Sequence, residues 1–225
     1  MLELKDLSVS IARIPILRNV SFEVQEGETI AFVGRNGAGK TTTLRAIMGL
    51  VTAQGSILLN GQAVDHVQAH ERPALGIGYA PEDRRLFSAF TVEENILLPA
   101  RVAQLTQDET NRRLERVYGI LPELKEMAKR PAGSVSGGQG KMVALGRGLM
   151  LGTHLLLLDE PFQGLAPVLA NRYAEALRAL RDTDRSLSVI ITESNPGLLK
   201  NFASRVITIE RGEIESVEDV SKVEA

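Results

Sequence analysis

Apolar and polar positions alternate along the first third of the chain and predict short strands at Leu2-Glu3-Leu4, Ile16 to Val24 and Thr29 to Val33. Ser56 to Leu59 reads as another strand and runs into Asn60-Gly61, two residues that tolerate positive φ and mark a hairpin. A helical segment is expected over Thr42 to Met48. From about Glu82 to Gly152 the pattern turns helical. Thr91 and Thr106 are each followed three residues later by a glutamate, the arrangement of a capping box. After the second box, Leu114, Val117, Leu121 and Leu124 recur at helical spacing. The last third returns to buried strands, Leu155 to Leu158 and Val189 to Ile191, with a helix around Ala170 to Leu180 between them. Buried strand, helix, buried strand is the order of a parallel sheet with crossover helices. The expected class is therefore α/β, with the helical middle inserted into the core.

Composition narrows the function classes. The 225 residues hold 26 Lys and Arg against 28 Asp and Glu, a net charge of −2. With a pI near 6.0 there is no basic footprint, so nucleic acid is not expected as a partner. The absence of cysteine excludes disulfides, thiolate zinc sites and a cysteine nucleophile. His66, His70 and His154 show no metal-ligand spacing. No apolar run approaches the roughly 18 residues needed to cross a bilayer, and the N-terminus lacks a signal pattern. Any membrane role is expected to come through a partner.

Two motifs carry chemistry. Gly34-Arg35-Asn36-Gly37-Ala38-Gly39-Lys40-Thr41 fits G-x-x-x-x-G-K-[ST] in full, between an expected strand and the helix that opens toward Thr42. The glycines let backbone N–H groups turn around a phosphate, and the helix N-terminus adds partial positive charge. Lys40 would reach the β- and γ-phosphates, and the Thr41 hydroxyl would ligate Mg²⁺. Leu155 to Leu158 ends in Asp159-Glu160, at the strand end where open α/β sheets gather ligands. Asp159 is placed to hold Mg²⁺, and Glu160 to polarise a water for attack on the γ-phosphate.

Ser136-Gly137-Gly138-Gln139 lies between these motifs. Ser-x-x-Gln is itself a capping box, and a helix N-terminus with two glycines also suits an anion. With the three motifs in this order, the chain resembles the ATP-binding-cassette (ABC) ATPases over nearly its whole length. The resemblance implies a P-loop ABC ATPase core with an antiparallel β subdomain and an inserted helical subdomain. It divides a single domain, 1–225, into a core over 1–81 and 153–225 and a helical part over 82–152. It implies ATP and Mg²⁺ as cofactors, and action of Ser136, Gly137, Gly138 and Gln139 in trans on the nucleotide of an opposite subunit. Pro81 to Phe87, Thr91 to Asn95 and Gly164-Leu165-Ala166-Pro167 resemble the second ATPase of importers for branched-chain amino acids, short amides and urea.

Several positions depart from the family pattern. Ile11 stands where the resemblance leads one to expect an aromatic against adenine. Glu82 takes the position usually held by glutamine, where it would contact the metal or the attacking water. Ser194 takes the place of the histidine that contacts the γ-phosphate. Gly140 follows the signature inside a helix, at a cost of roughly 1 kcal/mol relative to alanine. The resemblance implies two permease subunits, a second and paralogous ATPase, an external solute-binding protein reached indirectly, and the cytoplasmic face of the inner (plasma) membrane. Leu86, Phe87 and Phe90 read either as core of the helical part or as a groove for a permease helix. The alternatives are a mainly nucleotide-binding regulatory subunit with weak hydrolysis, and a soluble ABC ATPase outside transport.

Overall fold

The computed structural model describes residues 1–195, 197, 199 and 202–220. Two sheets form the frame. The smaller is antiparallel, in the order β2-β1-β4-β5, from β1 (Leu2–Ile11), β2 (Ile14–Val24), β4 (Gln54–Leu59) and β5 (Gln62–Ala63). Its β4–β5 turn is the expected Asn60-Gly61 hairpin, with φ of 51° and 77°. The larger sheet runs β10-β9-β3-β8-β7-β6. It is built from β3 (Thr29–Val33), β6 (Ile77–Ala80), β7 (Leu155–Asp159), β8 (Ser188–Glu193), β9 (Arg205–Glu210) and β10 (Glu213–Asp219). All its pairings are parallel except β9–β10. β6, β9 and β10 lie outside the strands the apolar pattern predicts, while β1 and β4 extend beyond theirs.

The buried strands show why the larger sheet sits in the middle. Ala31, Val33, Leu156, Leu158, Val189 and Ile191 point into one core with the helices. Their neighbours Ile30, Phe32, Leu155, Leu157 and Ile190 point into a second core with β1 and α1 (Lys40–Ile47). A strand apolar on both faces is what a doubly covered sheet requires.

Four helices lie between β6 and β7 in the chain: α2 (Val92–Val102), α3 (Gln107–Ile120), α4 (Pro122–Glu126) and α5 (Gly137–Leu149). Thr91 and Ser136 form complete capping boxes with Glu94 and Gln139. The expected box at Thr106 is half made. Its hydroxyl accepts from the Glu109 N–H, but the Glu109 carboxylate is taken by Arg112 and Arg113. The expected run through Leu124 is likewise broken, because Pro122 cannot continue α3 and starts α4 instead. The Ala170–Leu180 helix is longer than its apolar pattern, α6 (Pro167–Thr183), because Pro167 suits a first turn and opens it.

The parallel strands share one direction, so their carboxyl ends form one edge. There the chain leaves β3 into the glycine loop, β6 into Pro81-Glu82, β7 into Glu160, and β8 into Ser194.

Candidate functional site

The glycine loop bends between β3 and α1, and the helix starts at Lys40, two residues earlier than the sequence pattern suggests. Gly39 caps it at φ 116°, and a Cβ there would stand 2.6 Å from Leu17 Cδ2, so both conformation and space demand glycine. Ala38 turns inward, buried, and its carbonyl accepts from Gly212 N–H. At the far end of α1 the buried Arg72 guanidinium donates to the carbonyls of Ala46 and Ile47, closing the helix C-terminus.

An open cleft of about 410 Å³ lies against this loop. Asn36, Gly37, Gly39, Lys40, Thr41 and Thr42 line it from one side, and Glu82, Glu160 and Gln163 from the other. Gly34 and Arg35 contribute carbonyls to Lys40 Nζ at 2.7 and 3.3 Å. Ile11 and Ile16 form its apolar wall, and no aromatic ring lines it.

Lys40 Nζ also meets Glu160 Oε1 at 3.0 Å and Ser194 Oγ at 3.1 Å. Ser194 Oγ lies 2.7 Å from Glu160 Oε1 and 2.8 Å from Asn36 Oδ1. Burial alone would push the Glu160 carboxyl up. Hydrogen bonds from Ser194 and Lys40, with the lysine charge, outweigh burial and hold it below its ordinary value. Glu160 has φ 45°, a left-handed backbone that a non-glycine residue keeps only when its surroundings fix it. They do so on both sides. Its N–H donates to the carbonyl and hydroxyl oxygens of Thr192, and its carbonyl accepts from Lys141 Nζ at 2.6 Å.

Asp159 is buried beside it. Its Oδ1 accepts from Thr41 Oγ1 and Thr192 Oγ1, each at 2.9 Å, and its Oδ2 from Tyr79 OH at 3.2 Å. Among the described residues no cluster of three or more His, Cys, Asp or Glu side chains could hold a metal unaided. A Thr hydroxyl and a carboxylate in contact are hard oxygen donors, and Mg²⁺ takes few of these from protein when phosphates and waters supply the rest. The donor set fits Mg²⁺ on those terms.

The structure thus brings together the glycine loop, Asp159, Glu160, Glu82 and Ser194. Ser136, Gly137, Gly138 and Gln139 do not line this cleft. They open α5, where the box takes the Gln139 N–H and leaves those of Gly137 and Gly138 outside it. The Gly137 carbonyl accepts from Arg84 at 3.0 Å. Gly140 has a packing reason: a Cβ there would lie 3.2 Å from Arg84 Cδ and 3.5 Å from Leu86 Cδ1. Arg147 of α5 holds the same loop by donating to the carbonyls of Arg84 and Arg85, both in left-handed backbone.

The expected Leu86, Phe87 and Phe90 group divides. Leu86 packs on the helical core, while Phe87 and Phe90 are exposed and stack on each other at 5.5 Å. The buried Asn95 side chain pins Phe87 through both its N–H and its carbonyl.

Sequence reasoning missed Tyr79, Lys141 and Glu193. Glu193 was open to the same logic as Asp159, being a carboxylate at the end of a buried apolar strand. Tyr79 and Lys141 carry no local signal, since only the fold brings them to Asp159 and Glu160. Among the described residues no helix is long and apolar enough to cross a membrane.

The family model described as ABC transporter matches residues 17–163. The chain is 35% identical to the high-affinity branched-chain amino acid transport ATP-binding protein BraG of Pseudomonas aeruginosa, over 95% of this chain and 91% of that one. It is 31% identical to the lipopolysaccharide export system ATP-binding protein LptB of Acidithiobacillus ferridurans, over 95% and 88%. A bacterial ABC transporter cassette solved as a dimer superposes with a TM-score of 0.85 at 24% identity, over 98% of this chain and 99% of that one.

Proposed function

The chain belongs to the ABC transporter family of ATP-binding proteins, and from that premise we propose that its cleft binds and hydrolyses ATP to power an importer of branched-chain amino acids or related small polar solutes. The observation that carries the reading is the buried Lys40–Glu160 pair at the carboxyl edge of the sheet. It sets a cation where phosphate would arrive, next to a carboxylate kept ionised.

Lys40 exchanges Glu160 for the β- and γ-phosphates. The loop from Gly34 through Arg35, Asn36, Gly37, Ala38 and Gly39 wraps them, and Thr41 and Thr42 follow at the helix start. Ile11 gives the base an apolar contact. Glu160 takes the proton of the attacking water, with Glu82 and Ser194 beside it to orient that water. Thr41 and Asp159 would hold Mg²⁺, with Glu82 entering from the loop after β6. When bound, the ion offsets the phosphate charge.

Residues 1–81 and 153–225 carry the nucleotide, and 82–152 carry Ser136, Gly137, Gly138 and Gln139 toward the nucleotide of a second ATPase. Their position outside the cleft supports a role in trans. The partners are two integral membrane permease subunits and a paralogous ATPase, with an external solute-binding protein reached through the permease. The place of action is the cytoplasmic face of the inner (plasma) membrane. The likeness to a branched-chain amino acid transport protein at 35% identity supports the solute class. Uptake of labelled leucine, isoleucine and valine into vesicles holding the chain with its co-purified membrane partners tests this. ATP-dependent uptake lost in Lys40→Ala supports the reading. ATP hydrolysis without uptake of any of them overturns the solute.

A further inference from the structure

Lys141 leaves the second turn of α5, four residues after Gly137 and so on the same face of the helix. The helix lies close to the chain that follows β7. A Cβ on Gly138 would stand 2.3 Å from Leu169 Cδ1 and 3.2 Å from Leu165 Cδ2, so the glycine is what admits this approach. Across it Lys141 Nζ donates to the Glu160 carbonyl at 2.6 Å, a short, charge-assisted bond. The same carbonyl closes the turn Glu160-Pro161-Phe162-Gln163 by accepting from the Gln163 N–H at 3.3 Å, a longer contact. Pro161 stands second in that turn, where its fixed φ is suited. Glu160 and Gln163 are the residues of this turn that line the cleft.

We propose that Lys141 is a positioning residue: by holding the Glu160 carbonyl it keeps the left-handed backbone from which the Glu160 carboxylate faces the attacking water. The proposal rests on the reading of Glu160 as the base. A non-glycine residue at φ 45° relaxes unless its surroundings fix the peptide groups on either side. The peptide before Glu160 is fixed by Thr192, whose carbonyl and hydroxyl oxygens accept the Glu160 N–H at 3.2 and 3.0 Å. The peptide after it ends in Pro161, which has no N–H, so the carbonyl alone can be held. Of the two donors there, the lysine is the nearer and the charged one. Donation to the main chain sets where Glu160 points and leaves its carboxylate to Lys40 and Ser194. When phosphate takes Lys40, that side-chain support goes and the hold on the backbone remains.

The test uses the full chain assembled with its permease and ATPase partners. The partner ATPase's strand-end glutamate is replaced by glutamine, so that release of labelled phosphate from ATP reports this chain's site. Lys141→Met keeps a stem of similar length and removes the donor. It should lower kcat at this site by about tenfold to a hundredfold, the effect of a small misplacement of a reacting group, with ATP affinity within about threefold of wild type. Lys141→Arg keeps a charged donor and should retain most of the rate. In the Glu160→Gln background, Lys141→Met should slow the residual rate by less than about threefold, because a residue that acts through Glu160 has nothing left to position. An undiminished kcat in Lys141→Met overturns the proposal. So does the same fold-loss with and without Glu160, a Lys141→Arg variant as slow as Lys141→Met, or ATP affinity that falls in step with kcat. Failure of the base reading looks different: Glu160→Gln alone would then hydrolyse ATP at the wild-type rate at this site.

Discussion

Lys40 Nζ and Glu160 Oε1 stand 3.0 Å apart, each side chain 6% exposed, in the cleft where the phosphate loop meets the end of β7. The pair gives each of two buried charges at the sheet edge an opposite partner. On the proposed reading nucleotide binding is an exchange, in which phosphate replaces a carboxylate that already holds the lysine.

Lys40→Ala removes the cation from that exchange. ATP affinity should fall sharply in equilibrium titration, and hydrolysis by the assembled complex should be lost. Without nucleotide, the variant should also melt earlier, by about 1–3 kcal/mol of stability, because the buried Glu160 carboxyl loses its cation and keeps Ser194 as its main support. Unchanged affinity for ATP would remove the phosphate-loop assignment.

Glu160→Gln keeps the shape and loses the charge. Lys40 is then no longer drawn from the phosphates, so ATP should bind at least as well as in wild type. Hydrolysis at the site that contains the variant should fall by about 10²–10⁴-fold, the usual contribution of a positioned base. Titration and turnover measured on one preparation check both halves, and wild-type turnover from the site that contains the variant would count against Glu160 as the base.

Phe87 and Phe90 are exposed, and the backbone of Phe87 is fixed by Asn95 and not by either ring. Replacing both by alanine should change the melting of the isolated chain by less than about 1 kcal/mol. Co-purification of the permease subunits should fail. Intact co-purification would place the contact elsewhere.

The glycine loop, the Asp159-Glu160 strand end and the hairpin at Asn60 were legible because each is local: glycines for positive φ, an apolar run for a doubly covered strand, charge where it ends. β6 was not legible, since Ile77 to Ala80 is four residues with a glycine, and it becomes a strand only by pairing with β7. Tyr79 reaches Asp159 through that pairing, and Lys141 reaches Glu160 through the packing of α5. Neither follows from neighbours in the chain. The half-made box at Thr106 shows the same limit on a small scale, as Arg112 and Arg113 outcompete the backbone for Glu109.

Glu193 makes stability depend on pH in a stated direction. Its carboxyl is raised from 4.5 to about 7, first by burial and then by the charge of Glu160. Between those values the unfolded chain has released the proton while the folded chain keeps it, so stability falls as pH rises through the window. Glu193→Gln has no proton to release. Its melting temperature relative to wild type should rise across that window and level off above it. A difference that stays constant with pH would show that Glu193 titrates normally. Glu160, held low, loses its contribution on the acid side as pH falls through its depressed value, outside this window.

Ser194 bears on whether the two sites of a pair work equally. Its hydroxyl lies 2.7 Å from Glu160 and 3.1 Å from Lys40, so it braces the resting pair. One hydroxyl proton serves either Glu160 or Asn36, unless the Asn36 amide turns its NH₂ toward Ser194. An imidazole in this place would extend farther into the cleft and donate to the γ-phosphate as charge builds in the transition state. Loss of such a donor costs about 2.7–4 kcal/mol, a hundredfold to a thousandfold in rate. Ser136, Gly137, Gly138 and Gln139 are complete, and their capping box is formed, so the proposed service to an opposite nucleotide is expected to be unimpaired. The expected arrangement is a paralogous partner that keeps its histidine and hydrolyses faster in its own site. Inactivating each strand-end glutamate separately in the assembled complex checks it. Glu160→Gln should retain most of the total ATPase rate, and the partner's variant little. Equal losses would defeat the asymmetry, and a fully active homodimer would defeat the paralogous partner with it.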